Sequence, residues 1–328
     1  MSNILFLSTS SGSFVTKDYN LLSQTHDVIW NRADVRHSLR YLIQYIIQIK
    51  NCDIVVGWFA SPSVSVGIIL ASLFGRPSIL IAGGYDVARE PEINYGLTLK
   101  RRYELLTKTS LESADLVLAV SKNTQREVLE IAPDAFTEVA YVGAIDTNKF
   151  HPKGEKDDSL IITVGNVKTG NLRKKGLEYF AKASNLLPNK KFVIIGKHSD
   201  QKAVRRLINL GGDNLIMTGY ISPTELIRYY QRAKIYVQAS VHESFGLSLA
   251  EAMACECVPV VSENAALPEV VGDIGVIIES PNPDCVSAGI ITALDKGGVN
   301  PRDRILGKFR IEHRRETLTT CVRDILKS

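Results

Sequence analysis

Short apolar, β-branched segments alternate along the whole chain with longer amphipathic ones, and this pattern constrains the fold most strongly. It is typical of parallel strands buried on both faces and joined by helices. The pattern occurs twice, and two sheets of about six strands each predict an α/β protein with two Rossmann-like domains. The strand candidates of the first half are Asn3–Thr9, Asp27–Trp30, Cys52–Gly57, Ser78–Ala82, Asp115–Val120 and Glu138–Val142. Those of the second half are Ser159–Gly165, Lys191–Ile195, Asn214–Met217, Lys234–Val237, Val258–Ser262 and Gly275–Ile278.

The length of the chain supports this division. Its 328 residues are about twice the usual size of a single domain. A polar stretch that contains proline and glycine, Phe150–Asp158, separates the two halves and is predicted to be a linker. We therefore expect a first domain over residues 1–150 and a second that begins at residue 151.

The charge of the chain is unevenly distributed. It has 39 Lys and Arg against 35 Asp and Glu, a formal charge of +4. Residues 302–328 contain eight basic and four acidic side chains, so residues 1–301 are balanced at 31 of each. A nucleic-acid-binding protein is expected to spread basic residues over a domain face, and the neutral body argues against nucleic acid as a partner. The apolar content of 45% is that of an ordinary globular protein.

The five cysteines are odd in number and lie mostly in apolar or helical segments, which predicts a reducing, cytoplasmic compartment. Cys255 and Cys257 lack the spacing of a zinc or redox pair and are predicted to be small core residues. No basic region precedes the apolar start of the chain, unlike in a signal peptide. The longest apolar stretch, Val64–Phe74, is shorter than the roughly 20 residues that span a bilayer. A soluble or peripheral protein is expected.

Neither of the common glycine-rich nucleotide motifs is present. No G-x-G-x-x-G follows the first strand or the strand that ends at Gly165, and no phosphate-binding G-x-x-x-x-G-K-[ST] occurs. The first strand instead leads into the loop Ser10–Phe14. Gly12 in this loop would let the backbone approach a phosphate or a sugar, although a plain turn fits the same residues.

Three consecutive cations open the second domain. Gly165 ends its first strand, Asn166 follows it, and Arg173, Lys174 and Lys175 precede the predicted helix Leu177–Leu187. Cations at a helix start oppose the helix dipole, so an anionic ligand such as a diphosphate is expected to offset them. A solvated basic run is the alternative interpretation.

The segment Ala239–Ser262 has the most informative pattern. It reads as a strand end, a loop with Glu243, a helix over about Gly246–Cys255 with Glu251 inside it, and a further strand. The amides of Phe245–Ser248 at the helix start are free to bind phosphate oxygens. A carboxylate deeper in the helix suits the hydroxyls of a ribose. Together these groups predict a nucleotide-sugar site, the alternative being two ordinary surface carboxylates.

These residues resemble a known family. The spacing Glu243-x7-Glu251, with Phe245-Gly246-Leu247 and Glu251-Ala-Met-Ala, is similar to the signature of family 4 retaining glycosyltransferases of the GT-B fold. The resemblance covers most of the chain. Its other elements are Val164-Gly165 followed by Lys175-Gly176, Leu215–Ser240, Leu267–Val271 and Tyr141–Phe150.

The resemblance implies a hexosyltransferase-type enzyme without a cofactor or metal. It would transfer a sugar with retention from a UDP- or GDP-linked donor to a glycan or lipid-linked acceptor. The fold implied has two Rossmann-like domains that face a central cleft. By this resemblance the catalytic residues would be Glu243, Lys175 and Asp86. Those that bind the donor would be Gly12, Gly165, Asn166, Arg173, Lys175, Ser244, Phe245, Gly246, Leu247, Ser248 and Glu251.

Three positions depart from the family pattern. Asn166 stands where many members have arginine, so Arg173 is expected to supply that cation. The loop after the fourth strand lacks the histidine of many members, which leaves Asp86 or Tyr85 for its polar role. Glu256 replaces the usual glycine before the last strand of the signature and is expected to be a surface change.

The family fold also implies that the final helix returns to the first domain. We expect residues 151–308 to form the donor domain and residues 309–328 to form this helix. Its basic residues are expected on the exposed side. The apolar face would comprise Phe309, Ile311, Leu318, Val322, Ile325 and Leu326, and the cations are Arg310, Arg314, Arg315 and Arg323.

A second helix, Val35–Lys50, has an apolar face and basic residues at both ends. Such a helix can contact an anionic membrane at the cytoplasmic face, although covering the sheet is the more common role. Three other functions are compatible with parts of the pattern. A hydrolase would need Glu243 and Glu251 to flank one glycosidic bond. A non-catalytic partner of another transferase and a nucleotide-sugar epimerase would both keep the donor site.

Overall fold

The computed structural model describes residues 1–32, 39–296 and 300–327. The chain forms two compact units. The first contains residues Met1–Ala144 together with the chain from Glu312 onward, and the second contains Ile145–Ile311.

The first unit is built on a six-stranded parallel sheet with the order β2-β1-β3-β4-β5-β6. Its strands are β1 (Asn3–Ser8), β2 (Asp27–Asn31), β3 (Ile54–Trp58), β4 (Ser78–Ala82), β5 (Leu116–Ala119) and β6 (Thr137–Val139). Its helices are α1 (Ser13–Leu22), α2 (Leu39–Asn51), α3 (Pro62–Leu73), α4 (Arg101–Ser113), α5 (Lys122–Ile131) and α14 (Ile311–Ile325), with short 3-10 turns at Pro91–Ile93 and Leu97–Leu99.

The second unit repeats this architecture with the order β12-β11-β10-β7-β8-β9, again parallel. Its strands are β7 (Asp157–Val164), β8 (Lys191–Ile195), β9 (Leu215–Met217), β10 (Ala233–Gln238), β11 (Val258–Ser262) and β12 (Val276–Ile278). Its helices are α6 (Thr169–Leu172), α7 (Leu177–Leu186), α8 (Gln201–Leu210), α9 (Pro223–Arg232), α10 (Leu247–Ala254), α11 (Leu267–Val271), α12 (Pro283–Asp295) and α13 (Pro301–Lys308).

All twelve predicted strands are confirmed, with ends that differ by at most two residues except in β6, which ends at Val139, three residues before the predicted end. The central strands are completely buried because helices cover both faces of each sheet, which is why they read as continuous apolar runs. Cys255 and Cys257 are buried core residues, as predicted.

The order of strands in the second sheet reverses between β7 and β10. These two strands are neighbours, with Ile161 opposite Ile235 and Ile162 opposite Tyr236. Ligands of open parallel sheets bind beyond the carboxyl ends of the strands at such a reversal. The segments that follow β7 and β10 are the two that the sequence marks as a donor site.

The carboxyl-terminal helix α14 corrects one prediction. Arg314 was expected on the exposed side of the helix, but only 2% of it is exposed. Its guanidinium donates hydrogen bonds to the Asp18 carboxylate of α1 and to the Ala140 carbonyl. The Arg314 Nη2 to Asp18 Oδ2 distance is 2.5 Å, and Asp18 also accepts the Trp58 indole N–H at 2.8 Å. Arg315 and Arg323 are exposed as expected.

Helix α2 is described only from Leu39, and residues 35–38 of the predicted helix Val35–Lys50 lie outside the described ranges. Tyr45 and Ile49 are buried in the core of the first unit. Ile43 and Ile47 are exposed by 50% and 51%, so the helix has apolar residues on a second face as well.

Candidate active site

A left-handed glycine brings the cationic segment against the end of β10. Gly176 caps α7 with φ of +66°, and a Cβ atom there would lie 2.0 Å from the Ala239 carbonyl oxygen. A side chain at this position would therefore be strained and would also collide with the backbone. The Val241 amide donates to the Lys174 carbonyl at 2.9 Å, which joins the same two segments a second time.

Lys175 and Glu243 form an ion pair at this junction. Their side chains are 24% and 16% exposed. The Gln238 amide donates to the same carboxylate at 2.7 Å. Burial alone would raise the pKa of Glu243, but the Lys175 ammonium, its hydrogen bond and the nearby Lys174 hold the pKa below its usual range. Glu243 is thus an ionised carboxylate at the carboxyl end of β10.

Lys174 is a second cation of the site. Burial, and then repulsion from Lys175, lower its pKa to about 8. The sequence marked it only as part of a basic run. Arg173 is exposed, as is Asn166, whose carbonyl accepts the Asn171 side-chain amide at 2.9 Å.

The amino-terminal end of α10 follows Glu243 directly. Gly246 caps this helix with φ of +94°, a conformation that favours glycine. The first bond of the helix runs from the Ala250 amide to the Gly246 carbonyl, so the amides of Leu247 and Ser248 have no partner inside the helix. Such an end attracts anions.

The side chains around this helix end differ in exposure. Ser244, Leu247 and Ser248 are half-buried. Phe245 is 2% exposed and packs edge-on against Phe309, with ring centroids 5.2 Å apart. Phe245 therefore serves the core, and only its backbone is suited to a ligand.

Glu251 lies in the second turn of α10 and is half-buried. Its Oε2 accepts the Tyr230 hydroxyl at 3.2 Å. Tyr230 is completely buried, which raises the pKa of its phenol well above the ordinary value, so it remains a donor. The carboxylate is thus held from the side of α9.

Gly165 also lies in the second unit, at the end of β7. A Cβ atom there would lie 3.5 Å from Leu177, which is ordinary contact. Of the donor residues expected from the sequence, all except Gly12 belong to the second unit.

Gly12 caps α1 in the first unit with φ of −58°, a value open to any residue. Its amide donates to the Ser10 hydroxyl oxygen at 3.1 Å, and the Ser10 amide donates to that of Ser8 at 3.0 Å. The loop Ser8–Gly12 is thus an ordered turn stabilised by its own hydroxyl groups.

Asp86 is 1% exposed and is engaged with backbone amides. Its carboxylate accepts the amides of Ala60 and Gly84 at 2.8 Å and that of Gly83 at 3.1 Å. Burial raises the pKa of Asp86 even though these bonds oppose the shift. This geometry suits a residue that holds its loop in shape. Tyr85 is the exposed residue of the pair, at 49%.

Glu256, the residue in place of the family glycine, has φ of +65° and is half-buried. Glu256 thus adopts a left-handed backbone conformation, which costs a residue other than glycine about 1–3 kcal/mol.

Neither a metal-binding cluster nor a membrane-spanning helix is found in the part of the chain that the structure describes. Among residues 1–32, 39–296 and 300–327, no group of three or more His, Cys, Asp or Glu side chains is arranged to hold a metal ion. In that same part of the chain, no helix has the length and apolar character needed to span a bilayer.

Sequence comparisons extend the description of the site. The chain is 26% identical over 195 residues to the serotype-specific mannosyltransferase WbdA of Escherichia coli, a match that covers 52% of this chain and 23% of that protein. It is 43% identical over 77 residues to the O-antigen chain mannosyltransferase B of Escherichia coli, which covers 23% and 20% of the two chains. This chain thus spans about a fifth of the length of these relatives.

The structure of Anabaena HepE in complex with UDP-glucose is similar over the whole chain. Its TM-score is 0.74 at 15% sequence identity, with 99% of this chain and 100% of that chain covered. This similarity confirms the GT-B fold expected from the sequence. Residues 145–308, half of the chain, match the family described as glycosyl transferases group 1, and the chain belongs to this family.

Proposed function

We propose that this chain is a glycosyltransferase that transfers a sugar from a nucleotide-sugar donor to an acceptor. The observation that carries the proposal is the arrangement at the carboxyl end of β10. There the ion pair Lys175–Glu243 is followed by the amino-terminal end of α10, with Glu251 one to two turns further along.

Each group suits one part of such a donor. Lys175, Lys174 and the amides at the start of α10 would bind the diphosphate, with Arg173 as a further cation. Glu251, held by Tyr230, would accept hydroxyl hydrogens of the ribose. Glu243 would contact the transferred sugar.

The diphosphate gains negative charge when the anomeric carbon–oxygen bond breaks. Donors that are already in position stabilise such charge by about 3 kcal/mol each in comparable sites. We propose that the acceptor oxygen attacks from the same face, and that its proton passes to the leaving phosphate. This route retains the anomeric configuration. Because Lys175, Lys174 and the α10 amides meet the charge of the leaving group, we propose that no metal is required.

We propose a UDP- or GDP-linked donor and a glycan or lipid-linked acceptor. The GT-B structure with bound UDP-glucose supports the donor class. The names of the two mannosyltransferase relatives support a glycan acceptor. In the first unit, Asp86 is proposed to shape the loop after β4, and Tyr85 and the Gly12 loop are proposed to contact a substrate.

We also propose that helix α2 contacts an anionic membrane peripherally, at its cytoplasmic face. Helix α2 already buries Tyr45 and Ile49 against the sheet, yet Ile43 and Ile47 remain half-exposed. Lys50, at the end of the helix, is exposed. A helix that only covered a sheet would not need the second apolar face.

Donor binding tests the site directly. A nucleotide sugar at about 100 times its dissociation constant should stabilise the protein by about 2.7 kcal/mol, which a thermal shift detects across UDP-, GDP-, ADP- and dTDP-sugars. Lys175→Ala and Glu251→Ala should each abolish this shift, because the diphosphate and the ribose lose their partners. Glu243→Ala should reduce turnover more than binding.

The matched control is Lys182→Ala, which removes an exposed lysine of α7 in the same unit. It should leave donor binding unchanged. NMR of the product gives the anomeric configuration, and activity in EDTA tests the independence from metal. Full turnover in all three site variants would reject the site. Donor binding without transfer to any acceptor would favour the non-catalytic alternative, and an isomerised donor without acceptor would indicate an epimerase.

A further inference from the structure

A buried amide lies behind Glu243. Gln238 is the last residue of β10 and is 4% exposed, in a strand whose neighbouring positions are apolar. Its Nε2 donates to Glu243 Oε2 at 2.7 Å. Nothing in the signature spacing points to this residue, and the only trace of it in the sequence is a polar side chain at the end of a buried strand.

The orientation of this amide is fixed by a second buried residue. Tyr236 lies two positions earlier, on the same face of β10, and is completely buried. Its hydroxyl donates to Gln238 Oε1 at 3.2 Å, so the amide N–H group faces Glu243. The Tyr236 hydroxyl also interacts with the Ser248 side chain in the first turn of α10. The chain of contacts Glu243, Gln238, Tyr236 and Ser248 therefore connects the sugar side of the site to its phosphate side.

Lys175 and Gln238 both donate to the same oxygen of the Glu243 carboxylate, Oε2. Oε1 is the other oxygen of this carboxylate, and it is the one that we assign to the substrate. A bound diphosphate will attract the Lys175 ammonium, whereas it has no comparable attraction for a neutral amide. Gln238 can hold the carboxylate in place while Lys175 turns toward the phosphates.

We propose that Gln238, oriented by Tyr236, is a positioning residue that keeps Glu243 Oε1 directed at the transferred sugar. This inference rests on the proposed function, because it takes Glu243 to contact the sugar. The other titratable groups near Glu243 are Lys174 and Lys175, which precede α7, His242 beside it, and the Tyr236 phenol.

The test is Gln238→Met, which keeps the length of the side chain and removes the donor. Loss of the residues that orient the ligands of a metal site reduces affinity or activity by about 10- to 100-fold, and we expect a loss of this size for a carboxylate that loses its support. The loss is expected in kcat, with the donor KM changed by less than about 3-fold. The acid limb of the kcat profile should move to higher pH, because a carboxylate that loses a donor is protonated more easily.

Tyr236→Phe should give a smaller loss, since the amide remains but is no longer fixed. The double variant should be no worse than Gln238→Met alone, because both changes act through one contact. The control is Gln231→Met, which removes a buried amide of the same unit that donates to the His151 carbonyl at 3.1 Å. It should change stability but neither kcat nor the pH profile.

A measurement without substrate separates this inference from the proposed function. The carboxyl carbon resonance of Glu243 can be titrated by NMR in labelled protein and assigned with Glu243→Gln. Gln238→Met should raise the pKa of Glu243, and an unchanged value would overturn the inference. If the wild-type protein transfers no sugar, the proposed function fails while this titration still tests the role of Gln238. Parallel losses of kcat and donor affinity in Gln238→Met and Gln231→Met would also overturn it.

Discussion

At the scale of single residues, the structure joins side chains that are remote in the sequence. Lys175 and Glu243 are both predicted site residues, but they are 68 positions apart, and only the fold pairs them. Asp86 is a second example, in which the remote partner is a backbone amide. The family resemblance offers Asp86 for a polar role in the site, and the structure adds that its carboxylate accepts the Ala60 amide, 26 positions away. Local patterns mark polar residues, and they do not reveal which buried backbone groups those residues satisfy.

Replacement of Gly176 should affect the site through the backbone, without removing a group that binds the donor. Gly176→Ala introduces a Cβ atom at positive φ against the Ala239 carbonyl. The backbone must shift, at a cost of about 1–3 kcal/mol for the strained conformation alone. Because Lys175 is the preceding residue, donor affinity should fall as well. Urea denaturation and donor titration measure the two effects.

Gly170→Ala in α6 is the control for this substitution, since a Cβ atom there would have no neighbour within 4 Å. It should leave donor affinity unchanged. The free energy of unfolding should stay the same or rise slightly, because alanine favours the helix. Wild-type affinity in Gly176→Ala would show that Lys175 does not depend on this turn.

At the scale of helices and strands, strong hydrophobic patterns were sufficient for prediction. All six strands of each sheet were predicted from apolar runs, which are most continuous in the central strands because these are buried on both faces. Helix α6 was not predicted, because a four-residue helix that contains Gly170 has no periodicity to detect. The apolar face of α14 was predicted in part, with Leu318 and Val322 buried, but Arg314 was wrongly expected to be exposed. Its partner Asp18 is 296 positions away.

The ion pair of α14 predicts a large effect on stability. Arg314→Leu should lower the free energy of unfolding by about 3–5 kcal/mol, because it leaves the buried Asp18 carboxylate without its cation. Arg315→Leu, on the exposed side of the same helix, should change it by less than about 0.5 kcal/mol. Urea denaturation of both variants tests this expectation. Equal effects would mean that the pair is not important for stability.

At the scale of the whole molecule, the composition showed where the surplus positive charge lies, but it did not show what those side chains do. Three arginines of the carboxyl-terminal region are bound internally. Arg302 donates to the carbonyls of Thr147, Phe150 and Ala254, and Arg304 to those of Glu269 and Val270. Arg314 is the third. A net charge counts side chains without regard to burial, so it could not distinguish internal braces from an external surface.

The proposed membrane contact predicts binding by the whole protein. The chain should sediment with anionic liposomes at low salt and be released at high salt, because cations near an anionic surface contribute about 1 kcal/mol each. The double variant Ile43→Ser, Ile47→Ser should sediment less, since it removes the exposed apolar face of α2. Ile208→Ser, a 58% exposed position on α8, should sediment like the wild type. Equal sedimentation of all three proteins would reject α2 as the contact.

The ion pair between Lys175 and Glu243 has a consequence for ligand choice inside a cell. An unpaired cluster of cations would be occupied by any abundant phosphate ion. Here Lys175 is already neutralised, so an incoming anion must compete with a carboxylate that belongs to the protein. Inorganic phosphate has no sugar hydroxyl groups to offer Glu243, and its own negative charge repels that carboxylate, which would be left poorly compensated. A ligand that also presents hydroxyl groups to Glu243 offsets the lost contact, and the pair thereby discriminates against simple anions.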